Sequence, residues 1–373
     1  MKIAVFTDTF VPQVNGVVTS ILNSTSNLAK KGNNIIIFSP KIGKKLKLHK
    51  NIEIVELRSF NLLKKYKEME VRIPTFLKVL NKVKEFNPYI IHINTPLGIG
   101  DEGFLCAKIL KKPIVGTYHT LLPDFLRHIN LAGLEKKEFM KNMTWRYSNF
   151  IYNRCNIVTA PSKIIKKKLR KNGLKTKVEV ISNGVDLNRF YKKKMKKDGI
   201  TILHIGRMSY EKNVDVVLQA MKLVSEYKKV KFMIVGGGPD LKRLKDYSKK
   251  INLNVKFIGN VDNEKLVDYY NKADIFVTAS TIETEGIVLL EAMACGLPIV
   301  GVDKLAIPEV VRDGENGFIA KVNNPEDIAR CLTKLVKNPD LIKRLSNNSL
   351  KIVKKYSLEN SINKLERIYN SLL

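Results

Sequence analysis

The chain has 373 residues, which is too long for one ordinary domain and indicates two. Its 66 lysine and arginine residues against 35 aspartate and glutamate residues give a formal net charge of +31, which favours nucleic acid, anionic lipid head groups or phosphorylated substrates as partners, unless it is only a biased composition on solvated faces. The four cysteines are scattered and form no CxxC pair, which argues against a disulfide framework or a zinc site. No apolar run approaches the roughly 20 residues of a membrane span, so we expect a cytosolic protein, soluble or peripheral to a membrane.

Short apolar strands alternate with amphipathic helical segments along the chain. The predicted strands, in order, are KIAVFTD, NIIIFSP, YIIHINTP, PIVGTYH, NIVTAPS, VEVISNGVD, ITILHIGR, KFMIVGGG, VKFIGN, DIFVTAS and LPIVGVD. The apolar run at the start is too short for a signal peptide and is better interpreted as the first strand. Strands separated by helices predict parallel sheets with crossover helices.

These segments form two series, which predict two doubly wound α/β domains. The first occupies residues 1–192, the polar stretch YKKKMKKDG at 191–199 is a predicted hinge, and the second domain occupies 199–355. Residues 356–373 have the periodicity of a further helix. Because doubly wound sheets bind ligands at the carboxyl ends of their strands, two facing sheets would hold a substrate between them.

Several predicted strands are followed by residues suited to binding an anion. Gly16 heads a helix after the first strand, where the backbone can approach a phosphate closely. Arg207 and Lys212 follow the strand ITILHIG. A guanidinium and, five residues later, an ammonium are the kind of groups that bind a diphosphate, the arginine through two hydrogen bonds and the lysine as a point charge. Taken singly these signals are weak, because both cations could be solvated. His119 at another strand end could be structural, and the glycines at 236–238 could form only a flexible turn.

The stretch ETEGIVLLEAMACG at 283–296 contains two carboxylates, Glu283 and Glu291, eight positions apart. From 287 to 295 every side chain except Glu291 is apolar, which predicts a buried helix, ended by Gly296, with a buried acid inside it. A buried carboxylate needs a partner, and Glu291 should point towards the helix start, where free amides and the helix dipole suit a phosphate. The alternative is a structural glutamate that pairs with an arginine or caps a neighbouring loop.

Taken together, the motifs are much more specific. The motif NGV near the start, His119 at a strand end, NGVD at 183–186, GR followed by a lysine after five residues, and E-x7-E opening LLEAMACGLPIVG resemble the retaining glycosyltransferases of family four, which have the GT-B fold of two Rossmann-like domains. The resemblance spans nearly the whole chain, and residues 283–301 are its most diagnostic part. The stretch YHTLLPDFLRH resembles the branch that glycosylates diacylglycerol or related lipids on the cytoplasmic membrane face.

The resemblance implies a role for each candidate residue. The donor would be a nucleotide-diphosphate sugar of the UDP-glucose type, held mainly by the C-terminal domain, with Glu291 on the ribose hydroxyls and Glu283 on hydroxyls of the transferred sugar. His119 would contact the donor sugar from the N-terminal domain. The groups that would hold the leaving diphosphate are Gly16, Arg207, Lys212, Gly286 and Ile287. The family usually works without a metal, so no metal or other cofactor is expected, and the C-terminal helix would cross back to brace the N-terminal domain.

Two departures from the family pattern leave the exact substrates open. Glu285 stands where many relatives have phenylalanine, and Asn15 with Gly16 stands where many have paired glycines. A lipid-directed hexosyltransferase is our hypothesis, and a transferase for a soluble or polysaccharide acceptor is the nearest alternative. A nucleic-acid-binding protein is a distant third possibility, because it rests on charge alone.

A basic segment, RSFNLLKKYKEMEVR at 58–72, is a candidate for docking on an anionic membrane. It mixes apolar with basic side chains, a composition suited to the lipid interface: Phe60, Leu62, Leu63, Tyr66, Lys64, Lys65 and Lys67. The alternative is a basic surface helix or loop that only covers the sheet. We expect an enzyme that is peripheral on the inner face of the cell membrane and has no nucleic-acid partner.

Overall fold

The computed structural model describes residues 1–373 except 14, 44–45, 58, 61–70, 73–75, 120–137, 196–197 and 228–229. The chain divides into two compact units, residues 1–182 with 361–373, and residues 183–360. The division falls before the predicted hinge at 191–199. The Nζ atoms of Lys192 and Lys193 lie 2.9 Å from Ser346 Oγ and 2.8 Å from Asp268 Oδ1, so these two residues are bonded within the second unit.

A parallel sheet forms the centre of the first unit. The strands in chain order are β1 (Lys2–Phe6), β2 (Asn34–Pro40), β3 (Ile52–Leu57), β4 (Ser59–Phe60), β5 (Val71–Arg72), β6 (Ile90–Ile93), β7 (Ile114–Thr117), β8 (Ile157–Ala160) and β9 (Val178–Val180). The sheet has the order β3-β2-β1-β6-β7-β8-β9, and β4 pairs with β5 alone. The helices of this part are α1 (Gly16–Lys30), α2 (Phe76–Phe86), α3 (Ile99–Ile109), α4 (Glu138–Tyr152) and α5 (Lys163–Lys171).

The second unit is built around another parallel sheet. Its strands are β10 (Ile200–Ile205), β11 (Val230–Val235), β12 (Lys256–Gly259), β13 (Ile275–Val277), β14 (Ile299–Val302) and β15 (Gly317–Ala320), in the order β12-β11-β10-β13-β14-β15. The helices that follow are α6 (Val214–Val224), α7 (Leu241–Lys250), α8 (Leu266–Lys272), α9 (Ile287–Ala294), α10 (Ile307–Val310), α11 (Pro325–Val336), α12 (Pro339–Val353) and α13 (Leu358–Asn370).

Both sheets are doubly wound, as the alternation of strands and helices predicts. The strand order reverses at β1 in the first unit and at β10 in the second, which is the Rossmann arrangement. Central strands such as β6 and β14 are buried along their whole length, because crossover helices cover both faces of a parallel sheet. The prediction of two Rossmann-like sheets is confirmed, and ligands are expected at the carboxyl ends of β1 and β10.

Strands β3 and β15 are not among the predicted strands. Each lies at the edge of its sheet, where one side of the strand has no neighbouring strand in that sheet. In β3 the apolar residues are interrupted by Glu53 and Glu56, and most of the strand is only partly buried or exposed. Strand β3 therefore lacks the continuous apolar run that predicts the central strands.

Helix α13 packs against the first unit from residue 361 onwards. Tyr369 is 1% exposed, and its hydroxyl shares a hydrogen bond of 2.6 Å with His92 Nδ1 on β6. The other ring nitrogen, His92 Nε2, lies 2.6 Å from the hydroxyl of Thr117 on β7. Burial lowers the pKa of His92 to about 3, so the ring is neutral at physiological pH. The C-terminal helix is thus anchored by a buried aromatic residue with a polar partner.

Replacing Tyr369 by alanine should destabilise the first unit by about 3 kcal/mol, because it empties a buried aromatic site and leaves His92 with one polar partner. Replacing it by phenylalanine removes only the hydroxyl and should cost about 1 kcal/mol. Urea denaturation followed by circular dichroism measures both. Equal unfolding midpoints for the alanine variant and the wild type would contradict this role of Tyr369.

Candidate active site

One short loop after β10 carries both predicted cations of the second unit. Arg207 is exposed, and Lys212 closes a 3-10 helix spanning Tyr210–Lys212. Asn213 adopts a left-handed conformation with φ of 47° and leads the chain into α6. Its Nδ2 atom donates to the carbonyl oxygen of Ala279 at 3.1 Å, which attaches this loop to the chain after β13.

The glycines at 236–238 are required by close packing rather than by flexibility, which corrects the sequence interpretation. Gly236 and Gly238 have φ values of 127° and 152°. A Cβ atom on Gly236 would lie 2.0 Å from the carbonyl oxygen of Gly206, and one on Gly238 would lie 2.3 Å from that of Met208. The turn after β11 therefore packs directly against the backbone of the loop that carries Arg207.

Lys212 and Glu283 form an ion pair that the sequence analysis does not predict. Lys212 Nζ lies 2.5 Å from Glu283 Oε1, and the two side chains are 19% and 13% exposed. Burial would raise the pKa of Glu283, but the Lys212 ammonium outweighs burial and holds that pKa below its usual value. Glu283 is therefore ionised at physiological pH. The pair joins the loop after β10 to the segment before α9.

Helix α9 begins where the sequence predicts. Gly286 precedes it in a left-handed conformation with φ of 85°, and a Cβ atom there would lie 2.8 Å from Leu289 Cδ1. Ile287 is the first helical residue, and Gly296 follows the helix with φ of 75°. Glycine adopts this left-handed turn without strain, and the helix start that follows it suits an anion.

Glu291 is the buried acid that the apolar pattern predicts. It is 8% exposed, and its Oε2 atom accepts a hydrogen bond of 2.7 Å from the Tyr270 hydroxyl on α8. Burial raises the pKa of Glu291 to about 7, although the Tyr270 bond and the charge of Arg189 oppose this effect. Tyr270 was missed, and no sequence signal links it to Glu291, because the two residues lie on different helices.

Replacing Glu291 by glutamine should flatten the dependence of stability on pH. The folded-state pKa of about 7 exceeds the ordinary value of 4.5, so the folded protein keeps a proton that the unfolded chain releases. The stabilisation that this bound proton gives the folded protein is fully present below the ordinary pKa and is lost as the pH rises through the folded-state pKa. The loss in the free energy of unfolding is on the order of 3 kcal/mol. Glutamine can still accept the Tyr270 bond but does not titrate.

Melting temperatures measured between about pH 5 and about pH 8 test this expectation. The wild type should lose more stability than Glu291→Gln as the pH rises. Glu315→Gln, which changes an exposed acid of the same unit, is the control and should parallel the wild type. Parallel pH profiles for the wild type and Glu291→Gln would show that Glu291 does not titrate in this range.

Glu285 is turned towards the NGVD motif. It is 2% exposed, and its Oε2 atom accepts from the backbone amide and the side-chain Nδ2 of Asn183 at 2.8 and 2.7 Å. Two motifs that lie far apart in the sequence are thus in direct contact. Glu285 holds the turn before Gly286 in place, a role that the family pattern alone does not indicate.

His119 lies at the carboxyl edge of the first sheet, just after β7. It is 8% exposed, and its Nε2 atom lies 2.9 Å from Asn94 Oδ1, so Nε2 donates to the amide oxygen. Burial lowers the pKa of His119 to about 4, and the ring is neutral at physiological pH. Asn94 follows β6 directly, so its position at a strand end was a signal that could have identified it.

Gly16 begins α1, as predicted, and is exposed. Its neighbour Asn15 is the N-cap, and its side chain accepts from the amide of Val18 at 3.0 Å. Asp8 at the end of β1 was missed. Its carboxylate accepts from Ile99 N at 2.7 Å and from the Thr95 hydroxyl at 2.7 Å, so it fixes the start of α3.

The second unit therefore contains six of the predicted residues around the loop after β10 and the start of α9, which are Arg207, Lys212, Glu283, Gly286, Ile287 and Glu291. Gly16 and His119 belong to the first unit. The predicted docking segment 58–72 lies largely outside the described residues, as do residues 120–128 of YHTLLPDFLRH. Within the part of the chain that the structure describes, no helix has the length and apolar character needed to cross a bilayer.

Two family models match consecutive parts of the chain. Residues 14–189 match the model for Glycosyltransferase Family 4, and residues 185–352 match the model for glycosyl transferases group 1. The first match ends and the second begins close to the division between the two structural units. Together they include every predicted site residue.

Curated relatives match over most of their length. The chain is 29% identical to alpha-monoglucosyldiacylglycerol synthase of Streptococcus pneumoniae, covering 91% of this chain and 80% of that protein. It is 27% identical to the protein of the same name from Acholeplasma laidlawii, covering 100% and 98%. Among solved structures, Anabaena Alr3699/HepE in complex with UDP superposes with a TM-score of 0.82 at 19% identity over 100% of both chains, which shows a shared fold.

Proposed function

This chain belongs to family four of the glycosyltransferases and has the GT-B fold, and from that premise we propose that it moves glucose from UDP-glucose to a membrane lipid such as diacylglycerol, with retention of the anomeric configuration. Two relatives are named alpha-monoglucosyldiacylglycerol synthase. That name supports glucose as the transferred sugar, diacylglycerol as the acceptor and an α-linked product. The solved Anabaena structures with UDP and UDP-glucose support the nucleotide. A lipid acceptor requires the enzyme to work at a membrane, and we propose the inner face of the cell membrane.

The observation that carries the proposal is the attachment of the cationic loop after β10 to the segment that leads into α9. Arg207 is exposed at a strand end, and Lys212 is held at that edge by Glu283. The amides of Gly286 and Ile287 begin α9 near the same segment. A guanidinium and an ammonium on one loop, which is bonded to the segment that leads into a helix start, are suited to binding a diphosphate.

The two glutamates have different environments, which suits different roles. Glu283 is ionised through its pair with Lys212 and can accept hydrogen bonds from hydroxyls of the transferred sugar. Glu291 is buried beside Tyr270 and can accept from the ribose hydroxyls. Those hydroxyls stabilise the ionised carboxylate, so donor binding should lower the pKa of Glu291. Neither carboxylate is assigned as a nucleophile, so the carboxylate pair of retaining glycosidases is not the proposed mechanism.

The proposed transfer breaks the bond between the sugar C1 and the β-phosphate oxygen and forms a bond from C1 to the acceptor oxygen on the same face. The acceptor hydroxyl gives its proton to the departing phosphate oxygen, and UDP leaves. Negative charge accumulates on the diphosphate as the bond breaks, so Arg207, Lys212 and the α9 amides stabilise the transition state more than the bound donor. Two cations and a helix start can supply this stabilisation, and we propose that no metal is needed.

Product analysis tests the proposed function. The protein is incubated with UDP-glucose, and separately with GDP-mannose, in the presence of vesicles that contain diacylglycerol. Mass spectrometry should find diacylglycerol with one added hexose in the UDP-glucose reaction, and the product should be cleaved by an α-glucosidase but not by a β-glucosidase. Arg207→Ala should form at least about a hundredfold less product at equal protein concentration.

Other outcomes would redirect the proposal. Hexose transfer only to soluble sugars or polysaccharide would overturn the lipid acceptor. Transfer from GDP-mannose but not from UDP-glucose would overturn the donor, and a product cleaved only by the β-glucosidase would overturn retention.

A further inference from the structure

Helix α4 of the first unit carries apolar side chains on two opposite faces. The face that packs inward contains Trp145, Ser148, Ile151 and Tyr152. Along the other face, large exposed side chains recur at three- and four-residue spacing. They are Phe139, Met143, Tyr147 and Phe150, which are 69%, 49%, 37% and 51% exposed. A surface helix normally presents polar side chains to water, so this second apolar face requires an explanation.

Helix α3 extends the exposed apolar face. The Tyr147 hydroxyl donates to Asp101 at 2.7 Å, the Phe104 and Phe150 rings lie 6.3 Å apart, and Lys108 Nζ donates to the carbonyl of Arg154 at 3.2 Å. Each contact joins residues 46 positions apart, so the helices run side by side in the same direction. The α3–α4 surface is defined as Leu105, Ile109, Phe139, Met143, Tyr147 and Phe150, all exposed.

Basic residues border this surface. Lys108 and Arg154 lie over the rings of Phe104 and Phe150, with the guanidinium carbon of Arg154 3.9 Å from the Phe150 centroid. Arg146 is exposed on α4, next to Tyr147. Lys141 and Glu138 pair at 3.4 Å and offset each other, so the exposed cations Lys108, Arg146 and Arg154 outnumber Asp101, the acid that accepts from Tyr147. The border is therefore cationic, and its long side chains can place their charges beyond the apolar groups.

We propose that the α3–α4 surface docks on an anionic lipid bilayer, with its apolar side chains in the interface and its cations on lipid phosphates. An apolar face bordered by lysine and arginine is the pattern of helices that lie in a membrane interface. The net charge of +31 adds attraction to an anionic surface over a longer range. The choice of a lipid partner also rests on the proposed function, in which the acceptor stays in the bilayer.

The position of the surface fits this use. Helix α3 follows β6, so it begins at the carboxyl edge of the first sheet, and α4 runs parallel to it. That edge carries Asn94 and His119 and is where a doubly wound sheet binds ligands. Docking through α3 and α4 places this edge next to the lipid head groups.

A second copy of the chain is a poorer occupant. A symmetric pair would bring the same cationic border of each copy together, and like charges facing each other oppose association. An anionic bilayer has the opposite charge and accepts the apolar side chains as well.

Sedimentation with lipid vesicles tests the docking surface. The full-length protein should bind vesicles of phosphatidylcholine with phosphatidylglycerol more strongly than vesicles of phosphatidylcholine alone. Phe139→Ser/Met143→Ser/Phe150→Ser should bind the anionic vesicles at least about tenfold more weakly. The matched control is Leu223→Ser on α6 of the second unit, which replaces a side chain that is 48% exposed and is not part of this surface, and it should bind like the wild type.

The charge contribution has its own pair of variants. Lys108→Gln/Arg146→Gln should weaken binding to anionic vesicles severalfold, since each cation near an anionic surface contributes about 1 kcal/mol. Lys167→Gln/Lys171→Gln removes two exposed cations from α5 and should have a smaller effect. Equal losses in the two pairs would mean that only the overall charge matters and would overturn the assignment to this surface.

Trp145, the single tryptophan of the chain, reports whether the variants keep their fold. It lies on the buried face of α4 and stacks with Tyr118 at 6.3 Å, so unchanged emission shows that the helix remains packed. Unchanged vesicle binding by the folded triple-serine variant would overturn the proposal. A wild type that is dimeric in size-exclusion chromatography, becomes monomeric on the serine changes and ignores vesicles would assign the surface to a second copy instead.

Vesicle binding needs no donor, so it is independent of catalysis. If the proposed function is correct, the triple-serine variant should transfer glucose to a short-chain, water-soluble diacylglycerol at the wild-type rate and lose transfer to vesicle lipid. Salt-sensitive vesicle binding without any transfer by the wild type would leave docking supported and the proposed function wrong.

Discussion

Replacing Arg207 by alanine should lower the rate of glucose transfer by a factor of about 10² to 10³ while leaving the melting temperature unchanged. The guanidinium follows β10 on an exposed loop, so its removal empties no core site. Its proposed partner is the diphosphate, whose charge grows as the bond to the sugar breaks. The loss should therefore fall mainly on kcat, with a smaller change in the KM for UDP-glucose.

Steady-state kinetics on Arg207→Ala and on Arg243→Ala separate this role from a general loss of positive charge. Arg243 is an exposed arginine of the same unit that pairs with Asp215 and Asp240 on the surface. Its alanine variant should keep the wild-type kcat. If Arg207→Ala turned over donor at the wild-type rate, the diphosphate would have to be held by other groups.

Replacing Lys212 by methionine should destabilise the second unit by about 3 kcal/mol and also abolish most of the transfer activity. The change leaves the Glu283 carboxylate, 13% exposed, without its counter-charge. An unpaired carboxylate in that position is costly, and part of the proposed diphosphate clamp is lost as well. Lys212→Met/Glu283→Gln should recover much of the stability, because no buried charge remains, but not the activity.

The loss of stability in Lys212→Met should become smaller as the pH falls. In the wild type Lys212 holds the pKa of Glu283 below its usual value, so the stability from the pair is present above that value and lost as the pH falls through the folded-state pKa. In Lys212→Met the ammonium is gone, so burial, the largest influence on Glu283, should raise its pKa although the hydrogen bond from Ser280 still opposes it. The difference in melting temperature between wild type and variant should therefore shrink in acid. A deficit that stays constant with pH would indicate lost packing instead of an unpaired charge.

The sequence by itself determined the features that depend on local periodicity. Apolar strands alternating with helices specified two doubly wound parallel sheets, because buried parallel strands need continuous apolar runs and crossover helices. The apolar run at 287–295, with Gly286 before it and Gly296 after it, specified the bounds of α9 and the burial of Glu291. The motifs also indicated the family, which the two family models confirm.

Only the tertiary structure decided which of these groups meet. It pairs Lys212 with Glu283, gives Glu291 the Tyr270 hydroxyl and joins Glu285 to Asn183. It also shows which apolar face of α4 is exposed. Periodicity cannot predict this, because a sequence with two apolar helix faces does not indicate which of them is buried. A local sequence pattern shows how apolar and polar residues alternate along one helix or strand. Contacts between residues far apart in the chain depend on how sheets and helices pack, and so do the ionisation states of the acids at this site.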